Sequence, residues 1–311
     1  MIYVIQGGHM TVTEARKIVE ELDDGRKFTD DEEFMFIEAM NFLIEEEKKP
    51  SDMMWLGGYY YEQKRFDLAL KYYEMATSLE YDEAYECLGY IWYYGRTGER
   101  DFKKAFEYFS ILRDKGNLVA AYKVADMYKN GYYVEKDTAK YQEIIEDLFI
   151  KVRSCGDVFD PVPEVYTRLA RIRTEEGKTD EAVNLYLKAK DWLAQRIKCN
   201  AFFGNLNIMK WLVNDLYELI DFDKDTFDLF DMYYLMKTPH KVRFYFRDQM
   251  IEVESFEEGD EVVLSYKNSY APNDIKWFQS IDDFFEKAIE LTTYDRLVKS
   301  YDSLYGFEVI E

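Results

Sequence analysis

Apolar positions along the chain repeat with the period of a helix over most of its length and with the period of a strand near its end. Leu56-Gly57-x-x-Tyr60, Leu88-Gly89-x-x-Trp92, Val124-Ala125-x-x-Tyr128 and Leu169-Ala170-x-x-Arg173 are four versions of one pattern. Each is followed by a second pattern: Ala69-x-x-Tyr72-Tyr73-x-x-Ala76, Ala105-x-x-Tyr108-Phe109-x-x-Leu112, Tyr141-x-x-Ile144-Ile145-x-x-Leu148 and Ala182-x-x-Leu185-Tyr186-x-x-Ala189. Spacing at i, i+3, i+4 and i+7 puts these side chains on one helix face, so the order predicts four helical hairpins. The small residues Gly57, Gly89, Ala125 and Ala170 let the paired helix come close. The large side chains Tyr60, Tyr72, Tyr73, Trp92, Tyr108, Phe109, Tyr128 and Tyr186 fill the space beside that contact as core.

Thr11-x-x-Glu14 and Thr29-x-x-Glu32 are capping-box patterns that predict helices over Thr13–Leu22 and Asp30–Glu47. Beyond the hairpins, Leu206–Ile220 and Thr226–Met236 read as two further helices. Around Pro239 the period falls to two: Val242, Phe244 and Phe246 alternate with Arg243, Tyr245 and Arg247, as in a half-buried strand. Met250–Ser255 alternates likewise, and a turn at Glu258-Gly259-Asp260 leads to Val262–Tyr266. Ser280-Ile-Asp-Asp283 opens a helix to about Leu291. A second helix over Tyr294–Ser303 and a returning edge strand at Phe307–Ile310 complete the tail.

The paired patterns, four times over between residues 51 and 196, resemble the tetratricopeptide family and its SEL1-like relatives. From Leu56 to Ala69 and from Leu169 to Ala182 the interval is 13 residues, the tetratricopeptide value. From Leu88 to Ala105 and from Val124 to Tyr141 it is 17, as in the longer loop of SEL1-like hairpins. Those longer loops carry Gly95 and Gly98 in one copy and Gly131 in the other, then Asp101 or Asp137, placed to cap the following helix. Tyr141 and Arg173 depart from the pattern, and Ser154–Pro163 interrupts the stacking.

The resemblance implies a mostly α fold, a right-handed superhelical solenoid of antiparallel helix pairs, and the change of period near Pro239 adds a small α+β domain after it, of no family recognised from its residues. Together with the capping boxes and the change of period, it divides the chain into N-terminal capping helices (1–50), repeats (51–200), extending or capping helices (201–238) and the α+β domain (239–311). The resemblance also implies a protein-binding scaffold whose first helices line the concave surface. On that surface the expected partner-binding residues are Met54, Tyr61, Glu86, Tyr90, Tyr93, Tyr122, Asp126, Lys129, Thr167 and Arg171. Tyrosine suits such a role because it offers a large contact and a hydroxyl at low entropic cost.

Charge narrows the partners. Sixty-two acidic against 40 basic residues leave a net −22, which disfavours nucleic acid and anionic membrane surfaces and leaves two readings, attraction of a basic protein or peptide or simple solubility of a large helical surface. A competing expectation follows from the same charge: the acidic tail acts as an inhibitor or immunity-type neutraliser of a basic protein, with the repeats as its scaffold. Three widely spaced cysteines, Cys87, Cys155 and Cys199, form neither a disulfide framework nor a C-x-x-C site. Without a secretion signal the expected compartment is the cytoplasm. The segment Met1–Met10, ending Gly7-Gly8-His9-Met10, reads as an appended leader and is assigned no role.

No catalytic group, cofactor or metal site is expected. The two histidines, His9 and His240, lack neighbouring ligands or nucleophiles, and no phosphate-binding glycine motif occurs. Asp221-Phe-Asp223-Lys-Asp225 opens like a calcium loop. Its glycine position is Thr226, its apolar position Asp228 and its bidentate glutamate position Met232, so it reads instead as a loop with Asp225 capping the next helix. The pairs Asp282-Asp283 and Glu257-Glu258 read as solvated acids at a helix start and a turn.

Overall fold

The computed structural model describes residues 10–22, 28–199, 203–259, 261–290 and 303–310. Residues 1–9, which hold the leader segment and His9, lie outside that set. The chain forms two compact units, residues 1–141 and 142–311.

The first unit is a succession of helices: α1 (Val12–Leu22), α2 (Asp30–Glu47), α3 (Pro50–Glu62), α4 (Phe66–Thr77), α5 (Asp82–Tyr94), α6 (Phe102–Asp114) and α7 (Leu118–Asn130), with the boundary inside α8 (Thr138–Val152). Local side chains set the ends. Thr29 Oγ1 accepts from the Glu32 amide at 3.4 Å while the Glu32 carboxylate accepts from the Thr29 amide at 2.9 Å. Thr11 and Glu14 make the same reciprocal pair at 3.3 and 2.9 Å. Gly95 and Gly131 end α5 and α7 in the left-handed region, at φ +65° and +69°, where a side chain is penalised. Asp101 and Asp137 then cap the following helices, accepting from the Lys104 and Lys140 amides at 3.0 and 2.8 Å.

The small residues of the first pattern sit where the helices touch. A Cβ placed on Gly57 would lie 2.6 Å from Tyr73 Cε1, and one on Gly89 would lie 2.6 Å from Phe109 Cε1. Each glycine is the seat of a ring from the second helix of its own hairpin. Leu56, Ala69, Leu88, Ala105 and Phe109 are wholly buried along these contacts. Full burial of a side chain such as Phe109 contributes about 1.5–3 kcal/mol. Such faces need neighbours on both sides, and α1 and α2 supply them at one end, adding Ala15, Phe36, Ala39 and Leu43 to the same core.

The second unit contains α9 (Val162–Glu175), α10 (Thr179–Cys199), α11 (Phe203–Tyr217) and the single turn α12 (Met232–Leu235). It continues with β1 (Lys241–Phe246), β2 (Gln249–Glu258), β3 (Glu261–Asn268), β4 (Ala271–Phe278), α13 (Ile281–Glu290) and β5 (Leu304–Ile310). The sheet order is β4-β3-β2-β1-β5, antiparallel throughout. Val242, Phe244, Ile251, Val253, Leu264 and Tyr266 are buried on one face, with Phe307 stacked on Phe244 at 4.7 Å, and α13, whose Phe284 and Phe285 are buried, packs on β3 and β4. On the other face Arg243 lies between Glu252 and Glu308, at 2.7 and 3.0 Å. The tail is tied to the helices before it: Lys210 of α11 donates to Asp282 at 2.7 Å, and the Tyr233 hydroxyl donates to the same carboxylate at 3.2 Å.

Several elements differ from expectation. The helix expected over Thr226–Met236 shrinks to α12, because aspartates take the backbone amides that a helix would use. Asp228 accepts from the Phe230 and Asp231 amides at 2.8 and 2.9 Å. Asp223, not Asp225, closes the preceding turn, accepting from the Asp225 amide at 2.9 Å and from the Thr226 hydroxyl. Strand β4 was not anticipated: it is an edge strand, exposed at most positions, and shows no alternation. The edge strand at the chain's end pairs with β1. The capping pattern at Ser280 forms as expected, with Ser280 Oγ accepting from the Asp283 amide at 3.0 Å. Asp260 and almost all of Tyr294–Ser303 fall outside the described residues. Arg173, where the repeat usually has an aromatic ring, binds Glu146, Glu176 and Glu181 at 3.0, 3.1 and 3.2 Å.

Candidate functional site

In the first unit, α3, α5 and α7 are the first helices of successive hairpins, and eight of the ten expected binding residues lie on them. Tyr90 and Tyr93 of α5 and Tyr122 of α7 come together, around a residue the sequence reading passed over. Lys123 Nζ lies 5.1 Å from the Tyr90 ring centre, 5.4 Å from Tyr93, 5.6 Å from Tyr94 and 5.5 Å from Tyr122. It donates one hydrogen bond, 3.3 Å, to the Tyr94 hydroxyl. Lys123 is only 8% exposed. Ring faces carry negative quadrupole density, so four of them offset much of the cost of taking the ammonium out of water.

The rings are themselves braced. Tyr90 stacks on Tyr94, one turn along, at 6.0 Å and meets Phe109 edge-on at 5.5 Å. Tyr93 meets Tyr94, Phe102 and Tyr132 at 5.1, 5.8 and 6.0 Å. Tyr90 and Tyr93 are half-buried and Tyr122 is buried, so the same side chains serve core and surface. Glu86, one turn before Tyr90, accepts from Asn117 Nδ2 at 3.4 Å. Burial raises its carboxyl above the usual carboxylate range, the Asn117 bond and the Lys123 charge pulling the other way.

A raised acid pKa means that protonation favours the folded chain. The stabilisation is complete below the ordinary carboxylate range and is lost as pH rises through the folded value. Glu86→Gln is therefore expected to raise the thermal midpoint at neutral pH, with the gain vanishing below about pH 4. Melting curves of both proteins across that range check it; equal midpoints at pH 7 would refute the assignment.

The remaining candidates stand apart from the cluster. Met54 packs against the α1–α5 core. Tyr61 accepts from Arg96 Nε at 3.1 Å and lies edge-on to Phe66 at 5.1 Å. The Asp126 carbonyl accepts from Asn130 at 2.7 Å, and Lys129 lies 4.9 Å over the Tyr141 ring. In the second unit Thr167 is 5% exposed, and Arg171 donates to Asp215 of α11 at 2.6 Å. The Tyr186 hydroxyl donates to the same carboxylate at 3.3 Å, so Arg171 is engaged within its own unit. Lys123 had a signal in the sequence: it is the one charged residue in the run Ala120–Ala125.

Elsewhere the chemistry is quiet. Burial pushes the Cys87 thiol up to about 11, the reverse of an activated nucleophile. Among the described residues no three His, Cys, Asp or Glu side chains converge as metal ligands, and no helix is long and apolar enough to cross a membrane. A hollow of about 460 Å³ in the second unit is bordered by Lys237, Glu261, Gln279 and Ser280.

No protein-family model matches the chain, and no characterised protein matches it in sequence. Its backbone is similar to that of a Sel1 repeat protein from Oxalobacter formigenes: 18% identity, a TM-score of 0.50, and coverage of 72% of this chain and 84% of that one. A protective antigen present in uropathogenic Escherichia coli strains and displaying an SLR fold gives 16% identity and a TM-score of 0.45. That match covers 69% of this chain and 51% of the antigen, so the chain spans about half its length. At 18% identity the likeness to the Oxalobacter formigenes protein is one of fold, and it agrees with the paired motifs, the loop glycines and the capping aspartates: the chain has the Sel1-like helical-repeat fold, followed by a small antiparallel α+β segment.

Proposed function

We propose that the chain is a non-catalytic interaction scaffold that holds a peptide or protein segment against the first-helix face of its hairpins, centred on α5 and α7. The observation that carries this reading is the tyrosine cluster around Lys123. Four tyrosines from two helices converge beside an ammonium, and the outermost, Tyr94, is 43% exposed. Interfaces draw on large, rigid, amphipathic side chains of this kind because their contact area costs little conformational entropy.

The packing sets which substitutions are informative. Tyr93→Ala removes edge contacts to Phe102, Phe109 and Tyr132 and is expected to cost about 1–2 kcal/mol of stability. Chemical denaturation measures that cost, and an unchanged midpoint would show that the ring contributes no packing. Tyr94→Ala removes the most exposed ring of the four together with its contacts to Tyr90 and Tyr93 and the acceptor for Lys123, so its binding is read beside its stability. A partner captured by the full chain is expected to be held about tenfold more weakly by Tyr94→Ala, measured at a temperature where the melting curve shows the variant fully folded. A partner indifferent to changes on α5 and α7 would move the working surface to the second unit, where the neutraliser reading lies.

A further inference from the structure

The ladder between β3 and β4 is regular at one end and broken at the other. Leu264, Ser265 and Tyr266 pair in turn with Phe278, Trp277 and Lys276, and the next pair is Asn268 with Ala271. Pro272, Asn273, Asp274 and Ile275 therefore stand opposite Lys267 alone, as a bulge. Such a bulge gives up ladder bonds and re-aims the side chains it carries. Beside it lies a hollow of about 290 Å³, at the small end of the range for ligand pockets. Its walls include Asp274 of the bulge, Lys276, the buried Tyr266, Ile251 of β2, and Phe246 and Arg247 where β1 turns into β2. The frame is held by hydrogen bonds. The Ser269 amide donates to the Met250 carbonyl at 2.9 Å and the Met250 amide to Ser269 Oγ at 3.1 Å, so the two turns lie side by side. Asn268 Nδ2 donates to Gln249 Oε1 at 2.6 Å while its Oδ1 accepts from the Tyr270 amide at 3.0 Å. The Tyr305 hydroxyl donates to the Arg247 carbonyl at 2.7 Å, and the Arg247 guanidinium lies 5.3 Å over the Phe246 ring. Among the described residues that guanidinium has no ion pair.

We propose that this hollow binds a small zwitterion of the α-amino-acid class, its carboxylate on Arg247 and its ammonium on Asp274. Among the described residues the walls carry two cations, Arg247 and Lys276, against the one carboxylate of Asp274. In a chain of net −22 that local balance favours an acid over an amine. The planar guanidinium fork matches a carboxylate with two parallel hydrogen bonds. Asp274 then separates a molecule with a free amine from one without it, because an ammonium satisfies the aspartate and a neutral group does not. Phe246 and Ile251 give the rest of the molecule an apolar wall. Burial raises the Tyr266 phenol, with the Asn268 hydrogen bond pulling the other way, so the hollow meets a neutral hydroxyl there. The site lies wholly in the second unit and does not depend on the scaffold reading of α5 and α7.

The test is titration of the full chain, by calorimetry and by melting curve, with the common free α-amino acids, their carboxamides, their α-hydroxy-acid analogues and inorganic phosphate. One or more free amino acids are expected to raise the thermal midpoint of the wild-type chain, and replacing either charged group is expected to weaken binding about 10–100-fold. Arg247 stands at φ +56°, in the left-handed region that asparagine tolerates better than arginine. Arg247→Asn is therefore expected to fold at least as stably as the wild type and to bind about 10–100-fold more weakly. Asp274→Asn, on an exposed position of the bulge, is expected to lose the preference for the amino acid over its hydroxy analogue. No midpoint shift with any amino acid, binding unchanged in Arg247→Asn, a preference kept by Asp274→Asn, or phosphate binding as tightly as the amino acids overturns the proposal.

Discussion

Glu164→Ala is expected to lose about 3–5 kcal/mol of stability, the largest effect of any single polar substitution proposed for this protein. Arg196 of α10 is 5% exposed, and its guanidinium meets the Glu164 carboxylate of α9 at 2.6 and 3.2 Å. It also donates to the carbonyls of Val158 and Asp160, at 2.8 and 2.6 Å. One side chain thus ties two helices to the loop that breaks the repeat pattern between Ser154 and Pro163. Without the carboxylate the guanidinium stays buried with its charge uncompensated, and that penalty exceeds the value of the intact pair. Denaturant unfolding of Glu164→Ala, Arg196→Met and the double variant separates the two effects. The double variant is expected to be more stable than the sum of the single losses predicts. A loss below about 1 kcal/mol for Glu164→Ala would mean that water reaches the guanidinium and the pair is not buried in solution.

Gly89→Ala is expected to destabilise, although helix propensity alone predicts a gain of about 0.5–1 kcal/mol. The new methyl would sit 2.6 Å from Phe109 Cε1, and Phe109 is fully buried between Tyr90 and Tyr93. Either the ring leaves its rotamer or α5 and α6 move apart, at about 1–3 kcal/mol. Gly57→Ala, opposite Tyr73 at the same 2.6 Å, should behave alike. Gly58 supplies the control: a Cβ there meets nothing closer than Tyr73 Oη at 4.0 Å, so Gly58→Ala should stabilise. Three melting curves suffice. Stabilisation by Ala at all three positions would mean that the hairpins do not pack as closely as described.

These glycines show how far the repeat could be read without coordinates. Small residues in the first motif, left-handed glycines at loop starts, aspartates three residues before the amides they cap and Thr-x-x-Glu boxes are all local. Each depends on residues within about a turn of one another, so spacing alone reveals it. The strands with one buried face were legible for the same reason: Val242 and Phe244 point inward while Arg243 binds Glu252 and Glu308 outside. Where no such constraint acts, the reading failed. Strand β4 has neither face buried over most of its length and so shows no period. The helix expected at Thr226 gives way because Asp223 and Asp228 offer their neighbours' amides a competing acceptor.

The candidate surface divides along the same line. Tyr90, Tyr93 and Tyr122 were identified from their offset against the core stripe, a helical-wheel argument internal to α5 and α7. That argument could not find what they surround. Lys123 meets Tyr90, Tyr93 and Tyr94 about thirty residues back along the chain, across the gap between two hairpins. Arg196 finds Glu164 at a separation of 32 residues, and Arg171 is claimed by Asp215 at 44. By itself the sequence determined the hairpins, their caps and their close contacts, because those follow from periodicity and short-range hydrogen bonding. The tertiary structure alone decided which charge each buried ion faces, because the energy of a buried charge depends on groups that only packing brings within a few ångströms.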